Sequence, residues 1–338
     1  MIAEKRKLCV VSPAHWSAGM GGAEYQMKLF LEYLAEYTSW DITYVTAAAD
    51  DHYPPTNYRI VKIRGFQKLR KYSGLLDAPG VYGALSHIRP DMIYQRVGGV
   101  FTGVAGLYAR IHKIPLVWHV SHDDDVTPLQ TLTGVKGMVH SLEKKLLEYG
   151  AHQATRIITQ TRDQQRLLKT HYPFLPTATL VRNFHPMPSE AESKEGPIKV
   201  LWVANFKKWK RPEVFIDLAL ALSRDEPEVQ WLMAGRFYDA TATWERQLLD
   251  RMAHTPNLSY LGELSQDEVN RVMSQAHIFV NTSVAEGFPN TFIQAAMRKL
   301  PILSMNANPD GILHRYKMGW ECRHFPILAE KTKRLIHD

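Results

Sequence analysis

Cysteine is nearly missing from this 338-residue chain: Cys9 and Cys322 are its whole supply, far apart and without metal-ligand spacing. A disulfide framework or a cysteine-built zinc site is therefore not what holds it together, and a reducing cytosol is the simplest setting. Long apolar runs are missing too, and none reaches the roughly 18 residues that span a bilayer. The opening MIAEKRKLCVVSPAHW does not read as a signal peptide, because only the strand-length LCVV follows its basic residues. No G-x-G-x-x-G follows a strand, which leaves a nicotinamide enzyme unsupported. No nucleic-acid-binding module is present either.

What is there is an ordinary soluble composition, 45% hydrophobic and 22% charged. The net charge of +7 is unevenly placed. Residues 1–188 hold 22 Lys and Arg against 15 Asp and Glu, whereas 189–338 hold 19 of each. The excess is thus a property of the first half, to be read as one face or one partner.

Short apolar runs alternate with helical patterns along the chain. KLCVVSP, DITYVTA, YRIVKI, DMIYQRV and LVWHVS read as strands of the first half, which TRIITQT and TATLVRN close. KVLWVANF, VQWLMAGR, NLSYLG, HIFVNTS and PILSM carry the strand pattern of the second, with helical stretches between them. This alternation predicts parallel sheets covered on both faces. The pattern restarts after FHPMPSEAESKEGP, residues 184–197, so two doubly wound domains are expected, 1–188 and 189–338. Such sheets bind ligands outside the C-terminal ends of their strands, and two of them facing each other would enclose a site in a cleft.

Four strand-to-helix loops carry chemistry. SAGMGG, with Gly19, Gly21 and Gly22, could bring backbone amides and a helix N-terminus to an anion, or be a plain tight turn. VWHVSHDDD offers His119 and His122, able to share a proton near neutral pH, and then Asp123, Asp124 and Asp125. That acidic run reads either as an Asp-x-Asp metal site or as solvated acids. FKKWKRP sets Lys207, Lys208, Lys210 and Arg211 ahead of a helix, where they suit a diphosphate or simply face solvent. EGFPNTFIQAA places Glu286 before a Gly-Phe-Pro-Asn turn, with Asn290 as the expected N-cap of a helix from Thr291 and Gln294 one turn in.

With that last stretch the sequence resembles the retaining glycosyltransferases of the GT-B fold, the group 1 family that includes bacterial mannosyl- and glucosyltransferases. The family's signature is a glutamate, seven residues and a second glutamate; here it reads Glu286-Gly287-Phe288-Pro289, with Gln294 as the second residue. GGAEYQMKLFLEYL, RIITQTRDQQRLLKTHY, VRNFHP and KVLWVANFKKWKRPE resemble the family's other segments, so the likeness runs over nearly the whole chain.

The resemblance implies transfer of a sugar from a UDP- or GDP-sugar to a glycan or lipid-linked acceptor, with retention, no cofactor and no essential metal. It implies that Gly22 lies near the donor phosphate or the acceptor, and that His122 contacts the reacting sugar, with His119 close enough to compete. Lys210 would neutralise the diphosphate. Glu286, Phe288, Pro289 and Asn290 would hold the donor, and Gln294 the ribose hydroxyls. The family's second phosphate cation, an Arg after Gly, is replaced by Asn205 after Ala204. The family also continues through further helices after its last strand, so the likeness implies a short or truncated member. Related epimerases and non-catalytic nucleotide-sugar binders share the build and remain alternatives. The resemblance also gives the basic segment 59–72 a use. Arg59, Lys62, Arg64, Lys68, Arg70 and Lys71 stand among Phe66, Leu69 and Tyr72, and could rest on anionic lipid at the inner face of the cell membrane.

Overall fold

The structure is a computed structural model and describes residues 5–54, 57–63, 74–128, 134–188, 194–238 and 242–338, without the side chains of Val135 and Lys136. It divides into two compact units, residues 1–183 and 184–338.

In the first unit, strands β1 (Lys7–Val11), β2 (Asp41–Thr46), β3 (Arg59–Lys62), β4 (Met92–Arg96), β5 (Leu116–His119), β6 (Arg156–Thr159) and β7 (Thr179–Leu180) form one sheet. Its order is β3-β2-β1-β4-β5-β6-β7, and the pairings are parallel. The strands read as unbroken apolar runs because both faces are covered. Val10 and Tyr94 turn to one layer with Met27 and Leu31 of the helix Gly22–Tyr37. Val11 and Ile93 turn to the other, with Val104 and Leu147 of the helices Val100–His112 and Gly134–His152. Those two helices approach so closely that a Cβ on Gly106 would stand 2.6 Å from the Gly150 Cα.

The second unit repeats the plan. Strands β8 (Lys199–Val203), β9 (Gln230–Ala234), β10 (Leu258–Tyr260), β11 (Ile278–Asn281), β12 (Ile302–Ser304) and β13 (Gly319–Glu321) are ordered β10-β9-β8-β11-β12-β13, again parallel. Two α/β domains with parallel sheets are thus present, as the alternation predicts. In both sheets the order reverses beside the first strand, between β1 and β4 and between β8 and β11. That reversal opens the crevice in which doubly wound sheets bind ligands. No helix among the described residues is long and apolar enough to cross a membrane.

One local expectation changes. The helix after Glu286 runs Asn290–Met297 with Pro289 at the cap position, so Asn290 is its first residue and not its N-cap. Pro289, at φ −64° and ψ 124°, supplies the carbonyl that takes the Phe292 N–H at 3.1 Å, and this draws Asn290 into the first turn.

Candidate functional site

In the second unit the crevice between β8 and β11 is built from two loops fastened to each other. After β8, Lys208–Lys210 forms a 3-10 turn, and Arg211 in left-handed conformation (φ 49°, ψ 54°) turns the chain into the helix Pro212–Leu222. After β11, the Thr282 hydroxyl donates to the Lys210 carbonyl at 2.6 Å and accepts from Trp202 Nε1 at 2.9 Å. The Val284 amide donates to the Trp209 carbonyl at 2.8 Å.

This stitching brings Lys210 and Glu286 together. Lys210 Nζ pairs with Glu286 Oε1, and Ser283 Oγ donates to the same oxygen at 2.6 Å. The Lys210 and Glu286 side chains are only 19% and 14% exposed. A charged pair this far out of water interacts strongly, yet it stands at the strand ends where a ligand would meet it. Glu286 Oε2 takes part in neither bond.

Around this pair the other expected residues take different places. Phe288 packs against the core beneath the helix Asn290–Met297. Gln294 is buried, and its Nε2 donates to Asn270 Oδ1 at 3.0 Å and Gln266 Oε1 at 3.3 Å on the helix Gln266–Gln275. It is therefore bonded to a neighbouring helix rather than to Lys210 or Glu286. Asn205 donates through Nδ2 to the Tyr238 hydroxyl at 3.3 Å. Lys207 lies over the Trp209 and Tyr238 rings, 4.8 and 5.2 Å from their centroids, with Arg236 5.5 Å from that of Tyr238. Gly235 makes the shelf possible: at φ 152°, a Cβ there would stand 1.8 Å from the Ala204 carbonyl oxygen. Ser283, Thr282 and Tyr238 were not singled out from the sequence. For Thr282 and Ser283 the signal is two adjacent hydroxyls after Asn281 at the end of a strand.

In the first unit, Gly21 caps the helix that Gly22 begins, and the Glu24 carboxylate folds back toward Gly21. After β5, His122 caps the short turn Asp123–Asp125, lies 3.4 Å from Asp124 Oδ2, and keeps 42% of its side chain exposed. His119, the last residue of β5, is buried, with Nδ1 2.6 Å from the Tyr94 hydroxyl. Burial holds its pKa well below the ordinary histidine value. Asp125 is occupied within its own turn: Oδ2 accepts from the Ser121 and His122 amides at 2.8 and 3.1 Å. Burial raises its pKa. Lys144 fixes the same turn by donating to the Asp124 and Asp125 carbonyls at 2.7 and 3.0 Å. Among the described residues, no three or more His, Cys, Asp or Glu side chains gather as a metal would need. Of the basic segment, Arg59 and Lys62 pair with Asp41 and Asp51 at 2.8 and 2.9 Å, while residues 64–73 lie outside the described ones.

Comparison with known proteins now bears on this geometry. Residues 20–184 match the family described as Glycosyltransferase Family 4, and residues 197–338 match Glycosyl transferases group 1. The chain is a group 1 glycosyltransferase of the GT-B fold. Over 135 residues, 38% of its length, it is 27% identical to the gpi3 subunit of the phosphatidylinositol N-acetylglucosaminyltransferase of Schizosaccharomyces pombe. That stretch spans 28% of the yeast protein. Anabaena HepE, solved with UDP and glucose, superposes with a TM-score of 0.74 at 15% identity, over 98% of this chain and 90% of its own. Sucrose-phosphate synthase from Thermosynechococcus elongatus gives 0.76 at 14%, over 99% and 90%.

Proposed function

We propose that this glycosyltransferase moves a sugar from a UDP- or GDP-sugar to a glycan or lipid-linked acceptor, with retention at the anomeric carbon and without an essential metal. The observation that carries this reading is the Lys210–Glu286–Ser283 cluster at the switch point of the second sheet. A cation there meets the diphosphate as it departs, and stabilising that developing charge is the main electrostatic demand of glycosyl transfer. Glu286 accepts from hydroxyls of the donor sugar, and the amides beginning the helix Asn290–Met297 add the positive end of its dipole. Lys207 and Arg236 supply the cationic charge that Asn205 does not. Gln294 borders the ribose through its amide, Gly22 lies near donor or acceptor, and His122, more exposed than His119, contacts the reacting sugar.

The acceptor is one used in building cell-surface glycan, and the basic segment 59–72 touches an anionic membrane surface. The reading is tested with a panel of UDP- and GDP-sugars in the presence of EDTA, following nucleoside diphosphate release. Release that needs an acceptor supports transfer. Loss of all turnover in EDTA removes the metal-independent mechanism. Absence of release from every donor, with nucleotide binding indifferent to Lys210, removes the assignment.

A further inference from the structure

The first sheet ends in buried side-chain nitrogens that find no hydrogen-bond partner among the described residues. Arg96 closes β4 and His119 closes β5, and the two are paired in register, so both side chains leave the same face of the sheet. Both are buried, Arg96 to 2% exposure. The Arg96 guanidinium gives Nη2 to Asn183 Oδ1 at 3.2 Å. His119 Nδ1 meets the Tyr94 hydroxyl at 2.6 Å, so its ring is engaged on that side. Neither Arg96 Nε nor His119 Nε2 finds a hydrogen-bond partner among the described residues.

Two buried nitrogens without partners, one an N–H on a side chain that cannot lose its charge, are costly to leave unmatched. Glu24 and Asp125 act on Arg96 electrostatically. Neither forms an ion pair with it among the described residues. Asp125 is held instead by the amides of its own turn. The place is the C-terminal edge beside the β1/β4 switch point, three residues before His122.

We propose that Arg96 and His119 form an oxyanion-binding subsite of the first domain, which holds a phosphate or carboxylate group of the sugar acceptor. The Arg96 N–H needs an acceptor, the imidazole offers Nε2–H to one in one of its two tautomers, and a guanidinium edge is a planar fork suited to either group. The assignment rests on the sugar-transfer reading, and it narrows the acceptor to a phosphorylated or uronic-acid-type molecule.

The test uses the full chain with 15N-labelled arginine and saturating nucleoside diphosphate, so that added phosphate does not report from the donor site. The Arg96 Nε–H resonance is identified by its loss in Arg96→Lys or, should that variant fold poorly, by its proximity to Tyr94 ring protons. Inorganic phosphate, methyl glucuronide and neutral methyl glucoside are then titrated separately. The subsite moves this resonance saturably with phosphate or glucuronide and not with glucoside. Response to phosphate alone assigns a phosphorylated acceptor, and response to glucuronide alone an acidic sugar. His119→Asn weakens the responding anion by about tenfold, the loss of one charge-assisted bond. A resonance unmoved by either anion at about 10 mM, where a Kd of 1 mM would be nearly saturated, overturns the proposal. So does an equal response to glucoside. If nucleoside diphosphate itself does not bind, it is the transferase reading that fails, and the anion titration still decides the subsite.

Discussion

Replacing Lys210 by methionine separates two roles that coincide in one side chain. The ammonium is bonded to Glu286 Oε1, and the variant leaves that carboxylate, 14% exposed, with Ser283 as its remaining partner. Breaking a fully buried pair costs roughly 3–5 kcal/mol. With both side chains still partly wetted, about 1–3 kcal/mol is expected, or a fall in melting temperature of about 2–4 °C per kcal/mol for a domain of this size. If Lys210 also meets the leaving diphosphate, kcat falls by about 10²- to 10³-fold, the loss found for one preorganised donor. The deciding variant is the double one, Lys210→Met with Glu286→Gln. It removes the stranded charge and should recover most of the lost stability, seen by thermal unfolding. It should recover none of the activity, seen as nucleoside diphosphate release. If activity returns with stability, Lys210 merely offsets Glu286, and the catalytic reasoning is refuted.

Gln294→Glu takes away both amide donors to Asn270 and Gln266. Those amides must turn, at a cost of about 1–2 kcal/mol in stability. Turnover should stay within about tenfold, or 1.4 kcal/mol, and a larger drop in donor-saturated kcat would mean that position 294 needs an amide. Gly235→Ala forces a Cβ onto the Ala204 carbonyl and should destabilise the second domain by about 3 kcal/mol, measured by urea unfolding. Wild-type stability in that variant would disprove the close approach. His15 is buried between Ser17 Oγ at 2.7 Å and the Tyr58 hydroxyl at 3.0 Å, and burial lowers its pKa to about 4. Its neutral form belongs to the folded state, so its contribution is full above pH 6.5 or so. It declines as pH falls toward 4, by at most about 3 kcal/mol. His15→Gln should flatten that part of the pH–stability curve, and parallel curves for the two proteins would show that the loss arises elsewhere.

The strands were legible because parallel sheets bury both faces, which turns KLCVV or HIFVN into apolar runs that loops do not contain. Elements that begin with breakers were not legible. The helix Ala78–Ile88 carries Pro79 and Gly80 in its first turn, and Phe325–His337 opens on Phe-Pro, although proline is well placed at the start of a helix. Strand β13, Gly-Trp-Glu, is only half-buried and has no pattern of its own; its pairing with β12 is what defines it. At the site, the two loops were legible because both leave strand ends beside one crevice, whereas the bond between Lys210 and Glu286 was not. Ser283 and Thr282 could not be found that way, since their bonds cross 72 residues or more, or depend on how one loop curls. The Tyr94–His119 bond, and Arg96 in register beside it, needed the pairing of β4 on β5, which no single segment encodes.

The bonds from Thr282 to Lys210 and from Val284 to Trp209 have an evolutionary consequence. Two segments far apart in the chain are welded into a single mechanical part, so neither can drift independently. A substitution that reshapes the loop after β8 must be accepted by the loop after β11 in the same step. Engineering by loop exchange should accordingly transplant residues 204–211 and 282–289 as a pair, because a graft of either alone inherits a mismatched seam.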